Sequence, residues 1–422
     1  MCFGIVCCGI ESLCALCCCS SACCGSLFCC GGGEPQKLNV AGGYTVAKWF
    51  YSVGFGFTAI ATWVLRDYAG QWVTDHVSSF KYCQSSTGDA SAQCGGQEVA
   101  MRVSFANFSF FALHFLLTLC MSSEEDPRVS IHAGFWFWKL LIWIGTLIGF
   151  FYVPESALYG YAQAARVGSG IFIVVQLILM VTFVFQMNEL LTHQWEMWWA
   201  KTLLVLGSFV GFFGSLVVIG FSYALYAASP TCHLNIFFIT WTIIMGVVMI
   251  GVLAVKNKMP SAGLMSSVLI WLYTSYLLYS ALNSEPDDSV CFQGVGTTSR
   301  WIQIVSFFIA LATISYSTIT AGIDSDGFFG GKAKAQGTTT GDEPLPYRAD
   351  FFHLIFATAS MYMCMLFTSW AVSTDTQSYT LDKGWASTWV KMASKWLCEL
   401  LYIWTVIAPA LFPDRDFSMS AV

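Results

Sequence analysis

The chain has 422 residues, of which 56% are hydrophobic and 16% aromatic but only 10% charged, and its mean hydropathy is +0.63. A water-soluble globular protein carries roughly 25% charged residues, so this composition excludes an ordinary soluble enzyme and describes a membrane protein. The 19 Lys+Arg against 25 Asp+Glu leave a net charge of −6, which supplies no basic field for nucleic acid.

A helix needs about 20 apolar residues to cross roughly 30 Å of hydrocarbon. Such runs lie near 44–65, 98–120, 131–153, 156–188, 197–226, 234–255, 262–283, 300–322, 348–372 and 386–411. They show no period-2 alternation, and their connections are mostly short. The sequence therefore predicts an all-α fold, a polytopic transmembrane bundle of about ten helices, rather than a closed β-barrel. The fourth run exceeds one perpendicular crossing and is expected to tilt or to extend past the bilayer. The organisation read from these runs is a Cys-rich membrane-associated segment over 1–43, eight helices over 44–322, a Gly- and Thr-rich cytosolic linker over 323–347, two helices over 348–411 and a tail over 412–422.

An even number of spans puts both termini on one side, and the Lys/Arg bias between spans says which. Lys37, Arg128, Lys256, Lys258, Lys332, Lys334, Arg348 and Arg415 fall on the terminal side, against Arg66, Lys81, Arg300 and Lys383 opposite, with Arg102 at a helix mouth. The bias favours cytosolic termini. The cysteines that fall in loops after the first span, Cys83, Cys94, Cys232 and Cys291, all lie on the opposite side, where disulfides persist. Cys83 with Cys94, in one loop, is the favoured pair, although spacing does not fix connectivity.

Of the 18 cysteines, Cys2, Cys7, Cys8, Cys14, Cys17, Cys18, Cys19, Cys23, Cys24, Cys29 and Cys30 crowd the N-terminus. Their doublets do not resemble spaced metal-ligand pairs and no His lies nearby, so a zinc or iron–sulfur site is disfavoured. Three readings stay open: palmitoylation of membrane-proximal thiols, close packing of a partly inserted helix through small apolar side chains, and an eleventh span at 3–28.

Charges inside apolar runs are costly and usually face the bundle interior or a wet cavity. Arg166 lies near the middle of the fourth run and Glu399 is deep in the tenth. Lys391 and Lys395 precede Glu399 at i−8 and i−4, on one helix face, so Lys395 and Glu399 are spaced as an ion pair. Its bland reading is a neutralised pair that only fixes packing. Lys139, His114 and His353 are weaker candidates, expected to snorkel to the interface. The amides Gln163, Gln176, Gln186 and Asn188 do not form one stripe, and the eighth run is hydroxyl-rich through Ser306, Thr313, Ser315, Ser317, Thr318 and Thr320. No nucleotide loop and no zinc-protease motif occurs. Glu124, Glu125 and Asp126 read as a solvated turn, and Asn107-Phe108-Ser109 fits the glycosylation pattern inside a span, out of reach of the transferase.

Several blocks together resemble the serine incorporator (TMS/TDE) family. His132-Ala133-Gly134-Phe135-Trp136-Phe137-Trp138-Lys139 is similar to its H-N-G-F-W-F-F-K block, and Ser284-Glu285-Pro286-Asp287 to its S-N-E-P-D segment. Phe352-His353-Leu354, Thr368-Ser369-Trp370, Trp389-Val390-Lys391, the Tyr402–Pro409 stretch with Trp404, and Arg415-Asp416-Phe417-Ser418 follow in order. The motif residues carried over are His132, Gly134, Trp136, Lys139, Glu285, His353, Trp370 and Trp404. A family carboxylate after the Gln176-like position is replaced by Thr182, which puts any mechanism relying on it in doubt.

The resemblance implies two sub-bundles joined by long crossing helices, cytosolic termini, lumenal disulfides and residence in the secretory pathway or plasma membrane. It implies a protein that facilitates phospholipid movement (scrambling) and synthesis of the serine lipids phosphatidylserine and sphingolipid, without catalysing a reaction and without a cofactor or metal. The expected partners are membrane phospholipids, with lipid-synthesis enzymes or other membrane subunits as further candidates. The candidate lipid path is Arg166, Gln176, Lys391, Lys395 and Glu399, with Trp136, Trp138 and Trp370 as interface anchors. The alternative is a structural or scaffold subunit of a larger membrane assembly. An intramembrane transferase ranks last, because no nucleophile–base pair suggests itself.

Overall fold

The computed structural model describes residues 40–85, 89–121, 126–227, 229–286, 291, 345–368, 370 and 384–412. The N-terminal cysteines, the hydroxyl-rich run at 300–322 and nearly all of the 323–347 linker lie outside the described residues, as do Glu124 and Glu125. Among the described residues the fold is all helical: α1 Val40–Tyr68, α2 Gly70–His76, α3 Asp89–Leu117, α4 Val129–Ala133, α5 Trp136–Phe150, α6 Glu155–His193, α7 Trp198–Tyr226, α8 His233–Gly251, α9 Leu264–Asn283, α10 Ala349–Phe367 and α11 Trp385–Leu411. Short 3-10 turns cover Ser78–Ser85 and Val252–Ala254.

Six of these, α3, α6, α7, α8 (with its following turn), α9 and α10, are long and apolar enough to cross a membrane. The outward faces make the same point. On α1, Tyr44, Ala47, Tyr51, Phe55, Ala59, Thr62 and Arg66 recur at helical spacing and are buried. The opposite face presents Val53 at 65% and Phe57 at 72% exposure, where a soluble helix would carry polar groups. α7 likewise leaves Val205, Phe209, Val217 and Phe221 exposed. Both sides are apolar because the surrounding solvent is lipid.

The helices form two packed cores. Tyr51, Phe55, Phe110, Phe111, Trp143, Phe352 and Phe356, from α1, α3, α5 and α10, centre the first. Phe238, Ile270, Trp271, Leu278, Met392 and Tyr402, from α8, α9 and α11, centre the second. α6 belongs to both: its Phe172 and Leu179 join the first core, while Leu177, Val181, Val184 and Phe185 join the second. It is the crossing helix. With 39 residues it is roughly 58 Å long at about 1.5 Å per residue, so it must tilt strongly or project beyond the hydrocarbon, as its length predicts.

Close approach within each core depends on small residues. A side chain on Gly54 of α1 would collide with the Trp143 ring, and one on Gly246 of α8 with the Trp271 ring. Each glycine is a seat for an indole on a neighbouring helix.

Buried hydroxyls are mostly satisfied within their own helices, as with Thr62 to the Thr58 carbonyl, Ser215 to Gly211 and Thr242 to Phe238. Hydroxyl content alone therefore does not define a polar groove in the described helices.

The third predicted span is not continuous. The Gly134 N–H closes α4 onto the Ser130 carbonyl, Gly134 is extended, and Phe135 sits in the left-handed region at φ 56°, ψ 35°. The helix restarts at Trp136 and runs only 15 residues. The left-handed turn falls on Phe135, while Gly134 before it is in an extended conformation open to any residue. A left-handed phenylalanine costs about 1–2 kcal/mol, which the packing around it must offset.

Hydrogen bonds fix the two ends of the bundle. At one end the guanidinium of Arg102 (α3) donates to the Val153 carbonyl (3.3 Å) at the α5–α6 turn, and the Gly384 N–H, leading α11, donates to the Ser284 carbonyl (2.7 Å) after α9. Both disulfides, Cys83–Cys94 and Cys232–Cys291, belong to this end. At the other end the Met259 N–H donates to the Val406 carbonyl at 3.0 Å, one turn before Pro409 interrupts α11.

Candidate functional site

The tenth apolar run carries its charges on α11. Lys395 and Glu399 are ion-paired across one helical turn and are 0% and 1% exposed. The second Glu399 oxygen accepts the indole N–H of Trp241 (α8) at 3.2 Å. The Trp241 ring is itself 36% exposed, beside exposed Phe237 and Ile244. A buried pair of full charges thus lies one indole away from the outer surface of the bundle. Pairing and the indole hydrogen bond offset a desolvation cost of several kcal/mol per ion.

Toward the disulfide end, Lys391 bends to the end of α9. Its ammonium donates to the Ser284 hydroxyl (2.6 Å) and the Ser280 carbonyl (3.2 Å), a cation on the carbonyl terminus of a neighbouring helix. Beside it, Glu285 is buried and accepts from the Asn235 side-chain amide at 3.2 Å. Below the ion pair, the Ser267 and Tyr402 hydroxyls share a hydrogen bond of 2.6 Å. Lys391, Lys395 and Glu399 therefore form a polar line down α11, flanked by α8 and α9.

The other predicted path residues do not join this line. Arg166 is exposed on α6, where its guanidinium donates to Gln163 Oε1 at 3.1 Å, and Gln176 is half-buried further along α6.

The motif residues divide between the cores. Glu285 stands by the polar line, whereas Trp404 is exposed on α11. Trp138 is exposed and Trp370 half-buried after α10. His132, Gly134, Trp136, Lys139 and His353 gather in the first core.

There the expectation that Lys139, His114 and His353 snorkel outward is overturned: they are 4%, 5% and 0% exposed. Lys139 donates to the His132 carbonyl at 2.8 Å and lies 4.2 Å from the Trp136 ring centroid. That carbonyl is free to receive it because the helix breaks at Gly134. The inward turn of the ammonium is thus a consequence of the break.

Trp241, Asn235 and Tyr347 were not singled out from sequence. Each acts through a partner far along the chain, and none carries a local signal. Among the described residues no group of three or more His, Cys, Asp or Glu is placed to hold a metal ion.

Six apolar helices long enough to cross a membrane, with lipid-compatible outer faces and two disulfides at one end, together define a multi-pass integral membrane protein. Comparison with known proteins gives the family. The family model described as Serine incorporator (Serinc) matches residues 16–343 and 326–415, and the chain belongs to that family. It is 31% identical over 379 residues to Serine incorporator 3 of Bos taurus, covering 75% of this chain and 79% of the relative. It is 30% identical over 374 residues to a Probable serine incorporator of Nematostella vectensis, covering 76% and 81%. It is also 30% identical over 412 residues to Serine incorporator 5 of Mus musculus, covering 82% and 87%.

Proposed function

We propose that this protein moves phospholipids between the leaflets of its membrane and thereby supports serine-lipid synthesis, without itself catalysing a reaction. The observation that carries this reading is the Lys395–Glu399 pair behind Trp241. A headgroup crossing hydrocarbon pays a large desolvation penalty. A site that offers it one cation and one anion midway along α11, reached by displacing a single indole, lowers that penalty. Lys391 and Glu285 continue the polar line toward the disulfide end, so the headgroup would pass from one charged station to the next while its acyl chains remain in lipid. The names of the relatives support the link to serine lipids. The charge bias and disulfides support cytosolic termini and residence in the secretory pathway or plasma membrane.

The test is fluorescent-lipid scrambling by purified protein in liposomes, read with a membrane-impermeant quencher. Loss of signal beyond the outer-leaflet fraction is expected from the wild type, with Glu399→Gln and Trp241→Ala altering the rate. A folded, inserted protein that moves no lipid would sink the reading. If such a protein also co-purified a stoichiometric membrane subunit or lipid-synthesis enzyme, the scaffold reading would replace it.

A further inference from the structure

The first core holds a hydrogen-bonded chain whose direction can be deduced atom by atom. The Tyr347 hydroxyl donates its only proton to the Tyr44 carbonyl at 3.0 Å. At its contact of 3.1 Å with His132 Nε2 it must therefore accept, so His132 carries its proton on Nε2. A neutral His132 then has a bare Nδ1, and at 3.0 Å from His353 Nε2 that lone pair accepts a proton held by His353. This leaves His353 Nδ1 bare. It is buried and has no hydrogen-bond donor among the described groups, and the Tyr51 hydroxyl, whose ring centroid is 4.9 Å from that of His353, likewise has no partner. The chain ties together α1, α4, α10 and the segment entering α10.

The surroundings suit only the neutral form. Toward His353 face Tyr51 from α1, His114 from α3 with ring centroids 5.1 Å apart, and His132 from α4, while Tyr44 from α1, Lys139 from α5 and Tyr347 stand against His132. Asp350, on α10 itself, is engaged by Arg348 and by the Phe351 N–H. A second proton on the pair has two places to go. On His132 Nδ1 it destroys the His132–His353 bond by setting donor against donor. On His353 Nδ1 it makes a buried donor with no described acceptor. Either way a new cation stands next to Lys139.

We propose that His132 and His353 are an acid-sensitive latch, which holds α4 and the helix break at Gly134 against α10 while both rings are neutral and releases that seam when the pair takes up a proton. Opening lets water solvate the imidazolium, which the closed seam does not.

The test uses the full chain in detergent micelles, with hydrogen exchange of peptides spanning 126–139 followed between about pH 7.5 and about pH 5.5, the range in which histidine charges, and corrected for chemical exchange. The opening constant of the wild type should rise toward acid, by up to about tenfold per pH unit for each proton taken up. In the double variant His132→Gln, His353→Gln, amides can repeat the donor order without titrating, and the pH response should flatten. A flat wild type, or an unchanged response in the double variant, overturns the latch. Should the variant not fold, imidazole nitrogen shifts of the wild type decide: both rings are expected protonated on Nε2 at neutral pH, and a proton on His353 Nδ1 refutes the deduced order.

Discussion

Trp143 of α5 donates its indole N–H to Asn107 Oδ1 of α3 at 2.8 Å, and the same amide donates to the Thr58 hydroxyl of α1 at 2.9 Å. One fully buried side chain thereby satisfies the polar atoms of two neighbouring helices within the first core. Asn107→Leu should cost about 1–3 kcal/mol, because it leaves the Trp143 N–H without an acceptor in an apolar site; thermal unfolding in detergent measures it. Intact mass should show no glycan on Asn107, whose pattern is sealed inside the bundle.

Removal of one partner of the Lys395–Glu399 pair should be worse for the fold than removal of both. Glu399→Ala leaves a buried ammonium and is expected to destabilise by about 3–5 kcal/mol, whereas Lys395→Met with Glu399→Leu should come close to the wild type. If the pair also serves lipid passage, the double variant separates the roles: stability retained, scrambling reduced. A double variant as unstable as Glu399→Ala would show that packing at this position depends on the charges themselves.

Gly246→Ala should destabilise by about 1–3 kcal/mol, since the new methyl needs the space filled by the Trp271 ring. Gly56 on α1 is the control: nothing lies within 4 Å of its Cβ position, so Gly56→Ala should be neutral or gain up to about 1 kcal/mol of helix propensity. Equal effects at the two positions would show that the indole seat is not rigid.

The disulfides should differ in what their loss costs. Cys232–Cys291 closes a separation of 59 residues and Cys83–Cys94 one of 11. On loop entropy, removing the former by paired serine substitution should cost about 1.5 kcal/mol more than removing the latter. Denaturant midpoints of the two variants test the order, and a reversed order would point to native packing at the shorter loop as the larger contribution.

The sequence by itself determined most of the helix inventory and its membrane character, because span length, lack of alternation and scarcity of charge are local quantities set by the bilayer. It placed Lys395 and Glu399 as a pair, since their contact is one helical turn, and it marked the four cysteines that the structure joins in two disulfides. Tertiary structure alone decided which face of each helix is inside. Arg166 and Lys139 look alike in sequence, each a lone cation in an apolar run. Yet Arg166 is exposed on α6, while Lys139 is drawn in by a carbonyl that the Gly134–Phe135 break sets free. Nor is there any local trace of Trp241 meeting Glu399 across 158 positions, or of His132 meeting His353 across 221. A helix with two apolar faces has no polar side to orient it, so the choice falls to the neighbours that pack against it.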